Sequence, residues 1–158
     1  AFIEKMMAQQ ALAGENVVRL KGGDPLIFGR GGEEQAHLQA QGIVVEVING
    51  ITAGLAGVSS LGVPLTHRDH ASGVVLLTGH HQPGGTGTDW TAVGHTAHSQ
   101  RWTLVIYMGV RELSAIAQGL RLGLPGTTPV AVVQHASLPH QKHAVSVLSD
   151  LSAMVERV

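Results

Sequence analysis

One short stretch near the start of the chain combines residues that can bind a polar ligand. Gly22 and Gly23 are followed by Asp24 and Pro25, and further glycines occur up to residue 32. Glycines let a ligand lie directly against the main chain, and the Asp24 carboxylate supplies a fixed hydrogen-bond acceptor. Such a site suits a ligand with a hydroxyl, ammonium or amide group. For the Gly-Gly-Asp-Pro sequence alone, a tight turn without a ligand is an equal alternative.

The residues on both sides of this stretch predict the elements that position it. An apolar run, residues 16–20, predicts a buried strand before the glycines. Glu33 and Glu34 open a predicted helix, because carboxylates suit the positive end of a helix dipole. A strand, a glycine-rich loop and a helix in this order are typical of ligand sites in open α/β sheets. The glycine spacing excludes the dinucleotide fingerprint, and the missing Gly-Lys-Ser/Thr excludes a Walker A loop.

Strands and helices alternate along the chain, which indicates the α/β class. The predicted helices are 2–12, 33–41, 52–61, 111–122 and 148–155. The other predicted strands are 43–48, 73–78, 102–107, 130–133 and 142–147. Residues 65–72 are predicted as a polar connection, which places the boundary between two lobes, 1–70 and 71–158, there. Residues 79–100 are predicted as a long loop rich in Gly, Thr and His.

Composition excludes several classes of protein. The chain has 158 residues, a formal net charge of −1, 13% charged residues and 3% aromatic residues. Without a basic tract or aromatic surface, nucleic-acid binding is not expected. The absence of cysteine excludes a disulfide framework and a thiolate site. No apolar run is long enough to cross a bilayer and no signal peptide is recognised, so we expect a cytoplasmic protein without a membrane partner.

At greater length the sequence resembles a known family. Residues 17–34, VVRLKGGDPLIFGRGGEE, closely resemble the uroporphyrinogen-III C-methyltransferases. Residues 49–69, NGITAGLAGVSSLGVPLTHRD, and residues 105–109, VIYMG, are similar to the same family, so the resemblance extends over nearly the whole chain. It implies a two-lobed α/β fold with S-adenosylmethionine between the lobes. It also implies a homodimer that methylates uroporphyrinogen III to precorrin-2 by way of precorrin-1.

The resemblance also implies that the chain is truncated at both ends. The family's first strand and its proposed proton-transfer residues would precede Ala1, and a last strand would follow Val158. No catalytic residue is therefore assigned within the chain. Two alternatives to the main interpretation stay open. One is a methyltransferase that acts on a later precorrin, and the other is an inactive ligand-binding fragment.

By the same resemblance, short segments of the chain contact the cofactor. The implied contacts are Gly22, Gly23, Asp24, Ile27, Thr52, Ala53, Met108 and Ala136. Ala136 takes the position of a glycine that lies on the cofactor in many members. Without the resemblance, Met108 would be interpreted as a core residue, and the small residues after Thr52 would equally suit close helix packing.

Arg30, His67 and Arg68 are the predicted substrate contacts. Uroporphyrinogen carries several carboxylates, and a guanidinium group binds a carboxylate through two parallel hydrogen bonds. The alternative is a surface ion pair with Glu33, Glu34 or Asp69, which would contribute little to stability.

The chain contains ten histidines, which raises the question of a metal site. His80, His81, His95 and His98 are of the ligand type that zinc prefers, and Asp89 could join them. Their spacing matches no standard zinc site. We therefore expect solvated histidines and no structural metal.

Overall fold

The structure is a computed structural model that describes residues 2–80 and 84–154. The chain divides into two compact units, Ala1–Ala53 and Gly54–Val158, here called unit 1 and unit 2. The predicted lobes, 1–70 and 71–158, stay a prediction, and the division between the two units lies upstream of their boundary. Within the described residues, none of the helices has the length and apolar character needed to span a membrane.

Unit 1 contains two helices that pack through a small apolar cluster. Helix α1 is Phe2–Leu12, as the sequence predicts, and helix α2 is Gly31–Gln39, which begins two residues before the predicted start. The buried residues of the cluster are Met7, Ala8 and Leu38, with the half-buried Ile43 and Val45 beside them.

The predicted strands 16–20 and 43–48 are wrong for the described structure, in which both segments lie outside any ladder. Val18 is 87% exposed and Val44 is 96% exposed. A strand needs a hydrogen-bonded neighbour to pair its main-chain groups, and none of the described residues pairs with these segments. Apolar β-branched residues indicated a strand here, but they cannot supply its partner.

Helix α3, Ala53–Ser60, begins at the last residue of unit 1. It agrees with the predicted helix 52–61 to within one residue at each end. Thr52, which immediately precedes the helix, is 3% exposed. The residues of helix α3 are small, apart from Leu55 and Val58.

Unit 2 contains a parallel pair of strands joined through a helix. Strand β1, Gly73–Thr78, pairs with strand β2, Trp102–Tyr107, over their full lengths, from Gly73 opposite Trp102 to Thr78 opposite Tyr107. Both strands have the predicted bounds. A parallel pair needs a crossover connection, and helix α4, Trp90–Gln100, lies in that connection.

Helix α4 corrects the prediction of a loop over residues 79–100. The Asp89 side chain accepts a hydrogen bond from the Ala92 N–H at 3.0 Å and so caps the helix. Ala97 is 2% exposed, and Val93 packs against the core of unit 2. The abundance of Gly, Thr and His favoured a loop, whereas burial of one helix face outweighed those weak propensities. Residues 81–83 of the predicted loop lie outside the described residues.

The remaining elements complete unit 2. Helix α5 is Leu113–Gly123, and strands β3, Pro129–Gln134, and β4, Lys142–Val147, form an antiparallel pair. The predicted final helix 148–155 begins as a 3-10 turn, Leu148–Asp150, and continues as helix α6, Leu151–Met154; residue 155 lies outside the described residues. The buried core consists of Ile116, Ala117, Leu120, Leu148, Leu151 and Met154.

Candidate functional site

The residues around Gly22 form a glycine-rich loop, residues 22–30, that lies against the segment before helix α3. Gly23 adopts a φ of 77°, and a Cβ on it would lie 3.6 Å from both the Thr52 Cα and the Ala53 N. Gly50 approaches the Gly23 carbonyl so closely that it has no room for a side chain. The structure thus brings together five of the predicted cofactor residues, Gly22, Gly23, Asp24, Thr52 and Ala53, within unit 1.

Asp24 stabilises the conformation of this loop. One carboxylate oxygen accepts a hydrogen bond from the Leu26 N–H at 2.8 Å, and the other accepts one from the Gly50 N–H at 3.3 Å. The sequence predicted Asp24 only as a ligand acceptor, so this second role is new. Since an ionised carboxylate has about four acceptor positions, both oxygens retain capacity for a ligand.

The second half of the glycine-rich loop has an unusual backbone. Phe28 and Arg30 have φ values of 53° and 57°, which non-glycine residues seldom adopt. The Gly31 N–H donates to the Pro25 carbonyl at 2.9 Å and closes this part of the loop. Ile27, a predicted cofactor contact, is half-buried. Left-handed conformations at such residues cost free energy and occur preferentially at functional sites.

Arg30 lies at the exposed end of the glycine-rich loop and pairs with Glu33, with its Nε 3.0 Å from a carboxylate oxygen. The hydrogen bond to Glu33 raises the pKa of Arg30 and lowers the pKa of the Glu33 carboxyl. The surface ion pair with Glu33, which the sequence analysis gave as the alternative to a substrate contact of Arg30, is therefore present. Because an exposed pair contributes little, the guanidinium can exchange Glu33 for another carboxylate at small cost.

Two basic side chains meet a carboxylate on the flank of the glycine-rich loop. Lys21 Nζ lies 2.8 Å from one oxygen of Glu34, and Arg19 Nε and Nη2 each lie 3.3 Å from the other oxygen. The side chains of Lys21 and Glu34 are only 13% and 16% exposed. The hydrogen bond from Lys21, and then that from Arg19, lowers the pKa of Glu34. The sequence analysis assigned Glu34 to the helix dipole and to an alternative surface ion pair, and it did not predict this cluster with Arg19 and Lys21.

His67 and Arg68, the other predicted substrate contacts, lie in an exposed turn of unit 2. The His67 Nδ1 accepts a hydrogen bond from the Asp69 N–H at 3.2 Å, and its ring stacks on that of His70 with 4.7 Å between centroids. The His67 and Ala71 main chains bridge across the turn. The turn is therefore a defined local structure that presents both predicted residues at the surface.

Met108 and Ala136 each follow the carboxyl end of a strand in unit 2. Met108 comes directly after β2, has a φ of 55° and is 58% exposed. Ala136 is half-buried in the turn after β3, with its Cβ 3.5 Å from the position that a Cβ on Gly57 would take. Its neighbours His135 and Ser137 have positive φ values. The exposure and positive φ of Met108, and the positive φ values on both sides of Ala136, are compatible with ligand contact after the strand ends.

Gln141 connects the turn after β3 to helix α3. Its side-chain oxygen accepts from the Ser137 N–H at 2.8 Å, and its side-chain nitrogen donates to the Ser60 Oγ at 2.8 Å. These bonds hold the Ala136 segment against α3, which the sequence did not reveal.

Tyr107, the last residue of β2, contacts the start of helix α3. Its hydroxyl oxygen accepts a hydrogen bond from the Gly54 N–H at 3.1 Å. A Cβ on Gly54 would collide with this hydroxyl and lie 2.5 Å from Val105 Cγ1, so only glycine fits beside the tyrosine. Tyr107 directly precedes Met108, and Gly54 directly follows Ala53. The only signal in the sequence was the position of the single tyrosine at a strand end.

The histidines of the candidate zinc site do not form a cluster where the structure describes them. Over residues 2–80 and 84–154, no group of three or more His, Asp or Glu side chains is placed to hold a metal ion. His81 lies outside those ranges, so the absence of a structural metal stays a prediction.

Comparison with known proteins identifies the family. The family model described as "Tetrapyrrole (Corrin/Porphyrin) Methylases" matches residues 1–152. The chain belongs to this family. The resemblance seen in the sequence is thereby confirmed.

Curated relatives are identical to this chain at almost half of the aligned positions. It is 46% identical to an S-adenosyl-L-methionine-dependent uroporphyrinogen III methyltransferase of Arabidopsis thaliana, over 98% of this chain and 42% of that protein. It is 45% identical to a uroporphyrinogen-III C-methyltransferase of Pseudomonas aeruginosa, over 95% of this chain and 60% of that protein. A siroheme synthase of Actinobacillus pleuropneumoniae is 44% identical, over 97% of this chain and 31% of that protein. The chain thus spans from under a third to three fifths of the length of these relatives.

Solved structures confirm the two-lobed methylase fold class predicted from the sequence. A Thermus thermophilus uroporphyrin-III C-methyltransferase in complex with S-adenosyl homocysteine is 38% identical, with a TM-score of 0.80 over 96% of this chain and 65% of that one. A cobalt precorrin-4 methyltransferase is 22% identical with a TM-score of 0.86 over 98% of this chain and 64% of that one, which shows the fold alone.

Proposed function

We propose that this chain is the methyltransferase part of an enzyme that methylates uroporphyrinogen III to precorrin-2 by way of precorrin-1, with S-adenosylmethionine as the donor. The proposal is carried by the grouping of Gly22, Gly23 and Asp24 with Thr52 and Ala53. It is supported by the names of the Arabidopsis and Pseudomonas relatives and by the complex of the Thermus protein.

The residues present fit a nucleoside-type cofactor. A Cβ on Gly22 would meet no other atom within 4 Å, so the main chain at this position has open space beside it. Asp24 keeps acceptor capacity that suits the hydroxyl or ammonium groups of such a cofactor. The open space beside Gly22 agrees with the expectation from the sequence that a ligand can lie directly against the main chain.

S-adenosylmethionine supplies a methyl group on a sulfonium that is already strongly electrophilic. The chain mainly has to hold and orient the two reactants, which is a large part of the catalysis of such reactions. Gly22, Gly23, Asp24, Thr52 and Ala53 would bind the cofactor, with Ile27 packing against it. Met108 and Ala136 are further proposed contacts.

Arg30, His67 and Arg68 are the proposed contacts of the substrate carboxylates. Arg30 is held in an exposed pair with Glu33, and Arg68 is exposed, so each guanidinium can reach a carboxylate at small cost. We also propose that the enzyme acts in the cytoplasm as a homodimer, as the resemblance implies.

The proposal is tested by incubation of the full-length protein with S-adenosylmethionine and freshly reduced uroporphyrinogen III. The expected product is precorrin-2, identified by its mass and by absorbance after oxidation. Methylation of a later precorrin, with none of uroporphyrinogen III, would favour the alternative substrate. No transfer to either substrate would contradict the proposed function.

A further inference from the structure

The ion cluster of Arg19, Lys21 and Glu34 joins the two ends of the glycine-rich loop. Lys21 immediately precedes Gly22, and Glu34 lies in the first turn of α2, after the glycine-rich loop. The contact between them at 2.8 Å closes residues 22–33 into a ring of fixed circumference. Closing a flexible segment removes many of its alternative conformations, so the contact limits where Gly22 can lie.

Within the part of the chain that the structure describes, few other restraints act on the start of the glycine-rich loop. Residues 16–20 belong to no ladder among the described residues, and Leu20, just before Lys21, is 85% exposed. The bonds from Leu26 and Gly50 to Asp24 fix the interior of the loop, not its entrance. The cluster with Glu34 therefore restrains a segment that belongs to no sheet or buried cluster among residues 2–80 and 84–154.

Glu33 provides an internal comparison. It pairs with Arg30, three residues away, and the side chains are 59% and 74% exposed. The Lys21 and Glu34 side chains, by contrast, are largely buried and are joined across the whole loop. Partial burial reduces screening by solvent, so the Glu34 pair has the larger effect on conformation.

We propose that Glu34 is a positioning residue for the cofactor site. Its carboxylate binds Lys21 and Arg19 and thereby fixes the position at which the segment Gly22, Gly23 and Asp24 starts. The inference rests on the proposed function for the identity of the ligand, while the restraint on the loop is independent of it.

The test compares Glu34→Gln with Glu33→Gln in the full-length protein. Glutamine keeps the size of the side chain and removes the charge. Hydrogen exchange of the amides of residues 22–29 is measured without cofactor, and affinity for S-adenosyl homocysteine is measured by calorimetry. We expect faster exchange and an affinity about 5- to 30-fold weaker in Glu34→Gln, since hydrogen bonds to a charged group are lost. In Glu33→Gln we expect wild-type exchange and wild-type affinity for this ligand.

A second variant links the effect to Lys21. Lys21→Met removes the cation, and the double variant with Glu34→Gln should bind S-adenosyl homocysteine no more weakly than the weaker single variant. Independent effects of the two substitutions that multiply in the double variant would contradict the proposed contact. So would a Glu34→Gln protein that melts at lower temperature while its loop exchange and affinity match those of Glu33→Gln, because the role would then be structural only.

The readouts also separate this inference from the proposed function. If the wild-type protein fails to bind S-adenosyl homocysteine, the proposed cofactor is wrong, and the exchange comparison alone decides whether Glu34 holds the loop. A pH series adds a check, because the lowered pKa of Glu34 means that its stabilising contribution is present above 4.5 and is lost as the pH falls through the lower folded value. The difference in Tm between wild type and Glu34→Gln should therefore shrink in acid, and a constant difference would contradict the charge-based contact.

Discussion

The two units hold their predicted cofactor residues by different means. In unit 1 the glycine-rich loop is fixed by polar contacts, through Asp24 and Glu34, and the unit's buried cluster has only three residues among those described. In unit 2 the strand that leads to Met108 belongs to a paired ladder, and its Leu104 and Ile106 pack against a larger buried core. We therefore expect a polar substitution in unit 1 to weaken ligand affinity, and a core substitution in unit 2 to lower the free energy of unfolding.

The largest effect is expected from the core of unit 2. Ile116 is 1% exposed and belongs to the buried cluster of α5, so Ile116→Ala should lower the free energy of unfolding by about 2–5 kcal/mol. Val44 in unit 1 is 96% exposed, and Val44→Ala should change that free energy by no more than about 0.5 kcal/mol. Urea denaturation of the full-length variants measures both values.

The Val44 variant can break the comparison. If Val44→Ala destabilised the full-length protein as strongly as Ile116→Ala does, Val44 would be buried in that protein. Unit 1 would then depend on apolar packing to the same degree as unit 2.

The next effect concerns ligand affinity and not stability. Asp24→Ala removes the acceptor for the Leu26 and Gly50 amides as well as a proposed ligand contact. Loss of hydrogen bonds to a charged acceptor typically costs about 1.5–3 kcal/mol, so we expect S-adenosylmethionine to bind roughly ten- to a hundredfold more weakly. Arg30→Ala should leave this affinity near wild type and raise the KM for the tetrapyrrole instead.

Calorimetry and steady-state kinetics distinguish the two outcomes. Unchanged cofactor affinity in Asp24→Ala would remove Asp24 from the site. Asp24→Asn refines the result, because its amide oxygen can still accept from Leu26, whereas its NH₂ group cannot accept from Gly50. An intermediate affinity in Asp24→Asn is expected if the Gly50 contact matters.

The sequence predicted residues of the candidate cofactor site that the structure brings together, but it did not predict the contacts that support them. Gly23 and Asp24 belong to one short motif and Thr52 belongs to another, and the structure brings the two motifs together. The contacts of Glu34 with Lys21 and of Tyr107 with Gly54 join residues 13 and 53 positions apart, which no local pattern encodes.

The errors in secondary structure have the same origin. Residues 16–20 and 43–48 have strand composition, but a strand exists only with a neighbour, and composition does not specify one. Helix α4 is the opposite case: a loop was predicted and a helix is present, because packing of Ala97 and Val93 outweighed a composition typical of loops. In both cases tertiary contacts, which local propensity cannot report, decided the outcome.

Among the substitutions that remove a described contact, the smallest effect is expected at the junction of β2 and α3. Tyr107→Phe removes the hydroxyl that accepts a neutral hydrogen bond from the Gly54 N–H, and it leaves the ring in place. Such a bond contributes about 0.5–1.5 kcal/mol, so stability should fall by about 1 kcal/mol and cofactor affinity by only a few fold. Gly54→Ala should be more harmful, since the added methyl group would collide with the Tyr107 hydroxyl and Val105. In the Tyr107→Phe background the hydroxyl is gone, so Gly54→Ala should cost less there than in the wild type. Equal cost in the two backgrounds, measured by thermal unfolding, would show that the hydroxyl does not determine the need for glycine at position 54.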